Sequence, residues 1–95
     1  MPTSLGRATT DAAPRYAKQL SSHFGRKIPT EETPDGGHRL TFQQTDVLLQ
    51  PAEDHLLIKV TAPDASTLAT IQEVVGSHLE RFGRRNELTV TWERP

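Results

Sequence analysis

The chain contains no cysteine, which removes disulfides, thiolate metal ligands and a cysteine nucleophile from consideration. It also lacks any run approaching the ~20 apolar residues that a membrane-spanning helix needs. The opening Met-Pro-Thr-Ser-Leu-Gly-Arg has no apolar centre of the kind a secretory signal carries. These absences lead to the expectation of a soluble cytoplasmic protein with no membrane contact. A global basic excess is missing too: 11 Lys and Arg stand against 12 Asp and Glu, a net charge of −1. That balance argues against nucleic acid as a general partner, so any electrostatic function has to be local. There is no phosphate-cradling glycine loop, no His-Glu-x-x-His and no serine in a nucleophile-elbow pattern. Aromatics are few, with one Trp, one Tyr and three Phe. Tyr16 and Trp92 fall on apolar stripes, where an aromatic is usually core rather than cavity lining.

What is present is periodic. Apolar residues make up only 34% of the 95, but their spacing is regular enough for one compact α+β domain over residues 1–95, with flexible first few residues. Residues 4–10 form a first strand candidate. Thr10 or Asp11 can then cap a helix in which Ala13, Tyr16, Ala17, Leu20 and Phe24 recur at helical spacing until Gly25. Residues 29–37, Pro-Thr-Glu-Glu-Thr-Pro-Asp-Gly-Gly, read as a loop. From His38 the pattern alternates. Leu40 and Phe42, then Val47 to Gln50, then Leu56, Ile58 and Val60 predict three strands, with turns at 43–46 and 51–54. A second helix starts at a cap within 61–64, with Asp64 as one option. It carries Leu68, Ile71, Val75, Leu79 and Phe82 on one face until Gly83. Leu88, Val90 and Trp92 form a last strand.

The expected order is therefore β-α-β-β-β-α-β, a mainly antiparallel sheet. Three alternating strands between the helices make both helices run the same way, and right-handed crossovers place them, parallel, on one sheet face.

Two stretches resemble one another, Ser-His-Phe-Gly-Arg-Lys at 22–27 and Ser-His-Leu-Glu-Arg-Phe-Gly-Arg-Arg at 77–85. Parallel helices would gather both at one end. His23 and His78 would then approach across the helix pair, ringed by Arg26, Lys27, Arg81, Arg84 and Arg85. The candidate ligand-binding residues are accordingly His23, His78, Arg81, Arg84, Arg85 and Arg26, with a carboxylate or phosphate-like anion as ligand. The same residues have an ordinary structural explanation, because cations stabilise helix C-termini and a half-buried imidazole can bond a last-turn carbonyl. Spacing supplies no third ligand beside the two histidines, so no metal site is assigned. Ser22 and Ser77 are neighbours of histidines in sequence, yet adjacent positions diverge on a helix.

At Arg-Tyr-Ala-Lys-Gln-Leu-Ser-Ser-His-Phe (15–24) and at 74–92, from Val-Val-Gly-Ser-His-Leu to Val-Thr-Trp, the chain resembles a bacterial family known as domain of unknown function 2218. The resemblance extends over nearly the whole length. Where that family often carries a hairpin glycine near residue 46, this chain has Asp46. The resemblance implies a compact α+β domain and, in some relatives, an iron-acquisition setting beside or fused to siderophore-interacting flavin reductases. No reductase portion is present here, so neither flavin nor any other cofactor is expected. The leading reading is a non-enzymatic binding or accessory module. Its expected partners are an anionic small molecule, a ferric siderophore or a siderophore-interacting reductase. Two alternatives stay open: a small enzyme using His23 and His78 for proton transfer, and a homodimerising structural module. The latter would use the sheet face bearing Leu57, Lys59, Thr89, Thr91 and Glu93.

Overall fold

The computed structural model describes residues 1–42 and 44–93. They form one antiparallel sheet of six strands with two helices. In chain order the elements are β1 (Thr3–Thr9), α1 (Ala13–Phe24), β2 (Thr30–Glu32), β3 (His38–Phe42), β4 (Thr45–Pro51), β5 (His55–Thr61), α2 (Ala65–Phe82), a 3-10 turn (Arg84–Asn86) and β6 (Thr91–Glu93). The sheet order is β2-β3-β4-β5-β1-β6.

Register explains why one face is buried. Thr30, Leu40, Val47, Val60 and Ser4 lie in one row across the strands, and His38, Leu49, Ile58, Gly6 and Trp92 in the next. Leu40, Val47, Leu49, Ile58 and Val60 in these rows are fully buried. Each such side chain contributes about 1.5–3 kcal/mol by leaving water. The alternate residues, among them Leu5, Leu48, Lys59 and Arg39, share the opposite, open face.

Both helices cover the buried face. From α1, Tyr16, Ala17 and Leu20 enter the core, and from α2, Leu68, Val75 and Leu79. Small residues on β1 let α2 come close, and the Trp92 ring fills the space between Gly6 and Gly76. Local chemistry sets the ends. The Asp64 side chain accepts from the Thr67 N–H at 2.7 Å and caps α2. No side chain caps α1; the Thr10 hydroxyl instead accepts from the Ala12 N–H at 3.0 Å, and Pro14 occupies the first turn.

The sequence expectation needs three corrections. Residues 30–32, taken as loop, are β2, which pairs with β3 through Thr30↔Leu40 and Glu32↔His38. That fourth strand between the helices changes their relative direction. α1 leaves β1 at Thr9, level with His55, and returns at Thr30, in the row of Ser4. α2 leaves β5 at Thr61, level with Thr3, and reaches β6 at Thr91, level with Arg7. The helices therefore run antiparallel, not parallel. In agreement, Asn86, just past α2, donates to the hydroxyl of Tyr16 in the first turn of α1 at 2.9 Å. The last strand is also shorter than expected. Leu88 instead folds back on Gly83, its N–H donating to the Gly83 carbonyl at 3.0 Å, with Glu87 in the left-handed region at φ 55°. Of the expected 43–46 turn, Gln43 lies outside the described residues. Phe42 and Thr45 are already paired across the hairpin, and Gln44 carries the positive φ of 54°.

Candidate functional site: a histidine pair between the helices

His23 sits in the last turn of α1 and His78 in the second half of α2. Their ring centroids are 5.0 Å apart at an interplanar angle of 43°. Three phenylalanines frame the pair. Phe82 meets His23 edge-on at 5.6 Å, Phe24 lies 5.0 Å from His78, and Phe42 lies 5.3 Å from Phe24. The arrangement follows from helical spacing: Val74, His78 and Phe82 recur every four residues and share one side of α2.

His78 is half-buried and its Nδ1 lies 2.7 Å from the Val74 carbonyl. A carbonyl only accepts, so Nδ1 carries the proton and Nε2 is the free ring nitrogen. His23 is exposed, and neither of its ring nitrogens is hydrogen-bonded among the described residues. Its pKa falls below the usual imidazole value. Partial loss of water against the surrounding rings is the largest cause, followed by repulsion from His78 when that ring is protonated and from Arg26, Lys27 and Arg81. Among the described residues, no carboxylate forms an ion pair with these cations. The nearest acid in sequence, Glu80, is occupied as an acceptor for the Val90 N–H at 3.0 Å.

Of the residues singled out from sequence, His78, Arg26 and Arg81 come within electrostatic range of His23. Arg84 and Arg85 do not join them. They occupy the 3-10 turn beyond α2, at the Arg7 end of the sheet, whereas Arg26 follows α1 at the Ser4 end. The antiparallel course of the helices separates them. Among the described residues no third His, Asp or Glu joins the pair in a group able to hold a metal ion. None of the helices described is long and apolar enough to cross a membrane.

Sequence reasoning did not foresee the role of Phe42. It links the aromatic cluster to a neighbouring concavity of about 660 Å³, lined by Phe42, Gln44, Pro63, Asp64, Thr67 and Ile71. Ile71 is seven residues before His78 and thus on the same side of α2, a signal that was available from spacing.

Comparison with known proteins agrees with this architecture. The profile of a bacterial family described as uncharacterized protein conserved in bacteria (DUF2218) matches residues 5–93. Among solved structures, the NMR structure of PA4090 from Pseudomonas aeruginosa is similar, with a TM-score of 0.81 and 32% identity over 98% of this chain and 96% of that one. No curated protein matches the chain. The match over nearly all of the sequence and the shared fold establish that the chain belongs to the bacterial DUF2218 family.

Proposed function

We propose that the domain is a non-enzymatic binding module that takes an anionic small molecule over the His23–His78 pair. The observation that carries the reading is the 5.0 Å imidazole pair with free nitrogens, set among Arg26, Lys27 and Arg81 without a paired carboxylate. An uncompensated cluster of donors and cations is electrostatically complementary to a carboxylate or phenolate group. Phe24, Phe42 and Ile71 lead away from the pair and suit an apolar or aryl portion of the same ligand. A negatively charged ferric siderophore combines these features, and the family resemblance supplies the iron-acquisition setting. In that setting the module would serve as a cytoplasmic accessory to a siderophore-interacting reductase.

Binding an anion offsets the cations that depress His23, so its pKa rises and binding takes up a proton. Affinity should therefore increase as pH falls below about 6.5. The test is titration of the ¹⁵N-labelled protein with citrate and with ferric citrate, followed through the imidazole resonances. The expected result is saturable shifts at His23 and His78. Arg81→Ala should weaken binding about tenfold or more, the worth of a charge-assisted hydrogen bond, while Arg84→Ala leaves it unchanged. Unmoved imidazoles, or equal losses from the Arg81 and Arg84 variants, would overturn the reading. Citrate binding as well as its ferric complex would retain the anion site and remove the link to iron.

A further inference from the structure

The opposite flank of α1 holds a second group of polar side chains. Lys18, Ser21 and Ser22, at positions i, i+3 and i+4, face the edge of the sheet where β2 and β3 pair. There they border a notch of about 230 Å³ with Thr30, Glu32 and His38. Glu32 and His38 are directly opposed across the strands and so share the helix-facing side. Glu31, level with Arg39 in the register, alternates with Glu32 along β2 and also borders the notch.

Lys18, Ser21, Ser22, Glu32 and His38 converge on this notch, but none of their side chains makes a hydrogen bond or ion pair with another described residue. Ser21 is only 8% exposed, and its hydroxyl, which has no partner among the described residues, is reached by solvent where it borders the notch. An accessible hydroxyl can bond water or a ligand that enters the notch.

We propose that the notch binds a small zwitterion of the α-amino-acid class. Glu32, on the strand side, receives the ammonium group. The Lys18 ammonium and the Ser21 and Ser22 hydroxyls, on the helix side, hold the carboxylate. His38 lies between the two and can donate to the carboxylate. Charges of opposite sign on facing walls match a molecule that carries both, and the carboxylate offers an acceptor to the accessible Ser21 and Ser22 hydroxyls. The volume lies below the roughly 300–1,000 Å³ of pockets for drug-sized ligands, which limits the occupant to a small metabolite. The site is independent of the histidine pair, which lies on the other side of α1.

Amide chemical shifts of the intact domain, titrated with L-alanine, propionate and ethylamine, test the proposal. The expected result is saturable shifts at Ser21, Ser22, Glu32 and His38 with L-alanine, and binding at least about tenfold weaker for each one-charge analogue. Ser21→Ala keeps the residue small and buried, and Glu32→Gln acts at an exposed position, so both variants should fold normally and bind L-alanine about tenfold more weakly. No saturable shift up to about 10 mM L-alanine would overturn the proposal. So would ethylamine or propionate binding equally well, which would reveal a simple cation or anion site, or a Ser21→Ala variant that binds undiminished.

Discussion

Replacing Gly6 by Ala tests the packing between sheet and helix at its tightest point. A Cβ built on Gly6 would lie 2.8, 2.9 and 3.0 Å from three carbons of the Trp92 ring. These are closer than carbon atoms approach, so the ring must move. Its retreat is blocked on the far side, where a Cβ on Gly76 would lie 3.3 Å from the Trp92 Nε1. The ring therefore has to leave the gap or push α2 outward. Full loss of a buried aromatic would forfeit about 150–250 Å² at ~25 cal/mol/Å², an upper bound of roughly 4–6 kcal/mol. Trp92 is only half-buried, so the expected cost is the ordinary overpacking value of about 1–3 kcal/mol. In a domain of this size each kcal/mol lowers Tm by about 4–8 °C. The chain has one tryptophan, so its fluorescence reports on this site alone, and the emission should shift red as the ring becomes wetter. Gly76→Ala supplies the control. Its contact is less severe, and Ala gains about 1 kcal/mol over Gly inside a helix. It should be close to neutral. Equal stability and unchanged emission for Gly6→Ala would refute the claim that Trp92 is held between β1 and α2.

Leu79→Ala empties the middle of the α2 stripe, where the residue is fully buried, and should cost about 2–5 kcal/mol in urea unfolding; below about 1 kcal/mol the stripe would not be carrying the core. The Gln72 side-chain oxygen is buried with no hydrogen-bond partner among the described residues, so Gln72→Met should stabilise the fold by about 1 kcal/mol. A loss of stability there would mean that the oxygen is in fact bonded. Folding lowers the His23 pKa, so between that depressed value and about 6.5 the unfolded chain binds more protons. Stability in an anion-free buffer should therefore fall as pH drops below about 6.5, with a smaller fall in His23→Gln; equal slopes for the two proteins would remove the proposed repulsion.

The residues that were legible in sequence are those whose burial repeats with a period. Leu68, Val75 and Leu79, at helical spacing, and Leu56, Ile58 and Val60, in alternation, are all fully buried where the pattern places them. The β2 strand has no such pattern. Its Thr-Glu-Glu is exposed at every position, it lies between Pro29 and Pro34, and it is held by pairing with β3 rather than by burying a face. Its two glutamates are poor strand formers taken alone, so tertiary pairing overrides local preference. The error at three residues then propagated, because helix direction depends on whether the number of intervening strands is odd or even. The His23–His78 contact is present even though the helices run opposite to the expected way. A histidine in the last turn of α1 meets any residue of α2 that lies at its level and on the facing side. In the antiparallel arrangement the side of α2 shared by Val74, His78 and Phe82 is the one that meets the last turn of α1. The arginines depend on helix direction, since each lies beyond a helix end, and reversal sends Arg84 and Arg85 away while Arg26 stays. The same overlooked strand builds the second notch, for Glu32 comes opposite His38 only when residues 30–32 join the sheet. A single exposed edge strand thus fixes both which cations surround the imidazoles and whether the serine flank of α1 faces an acidic wall.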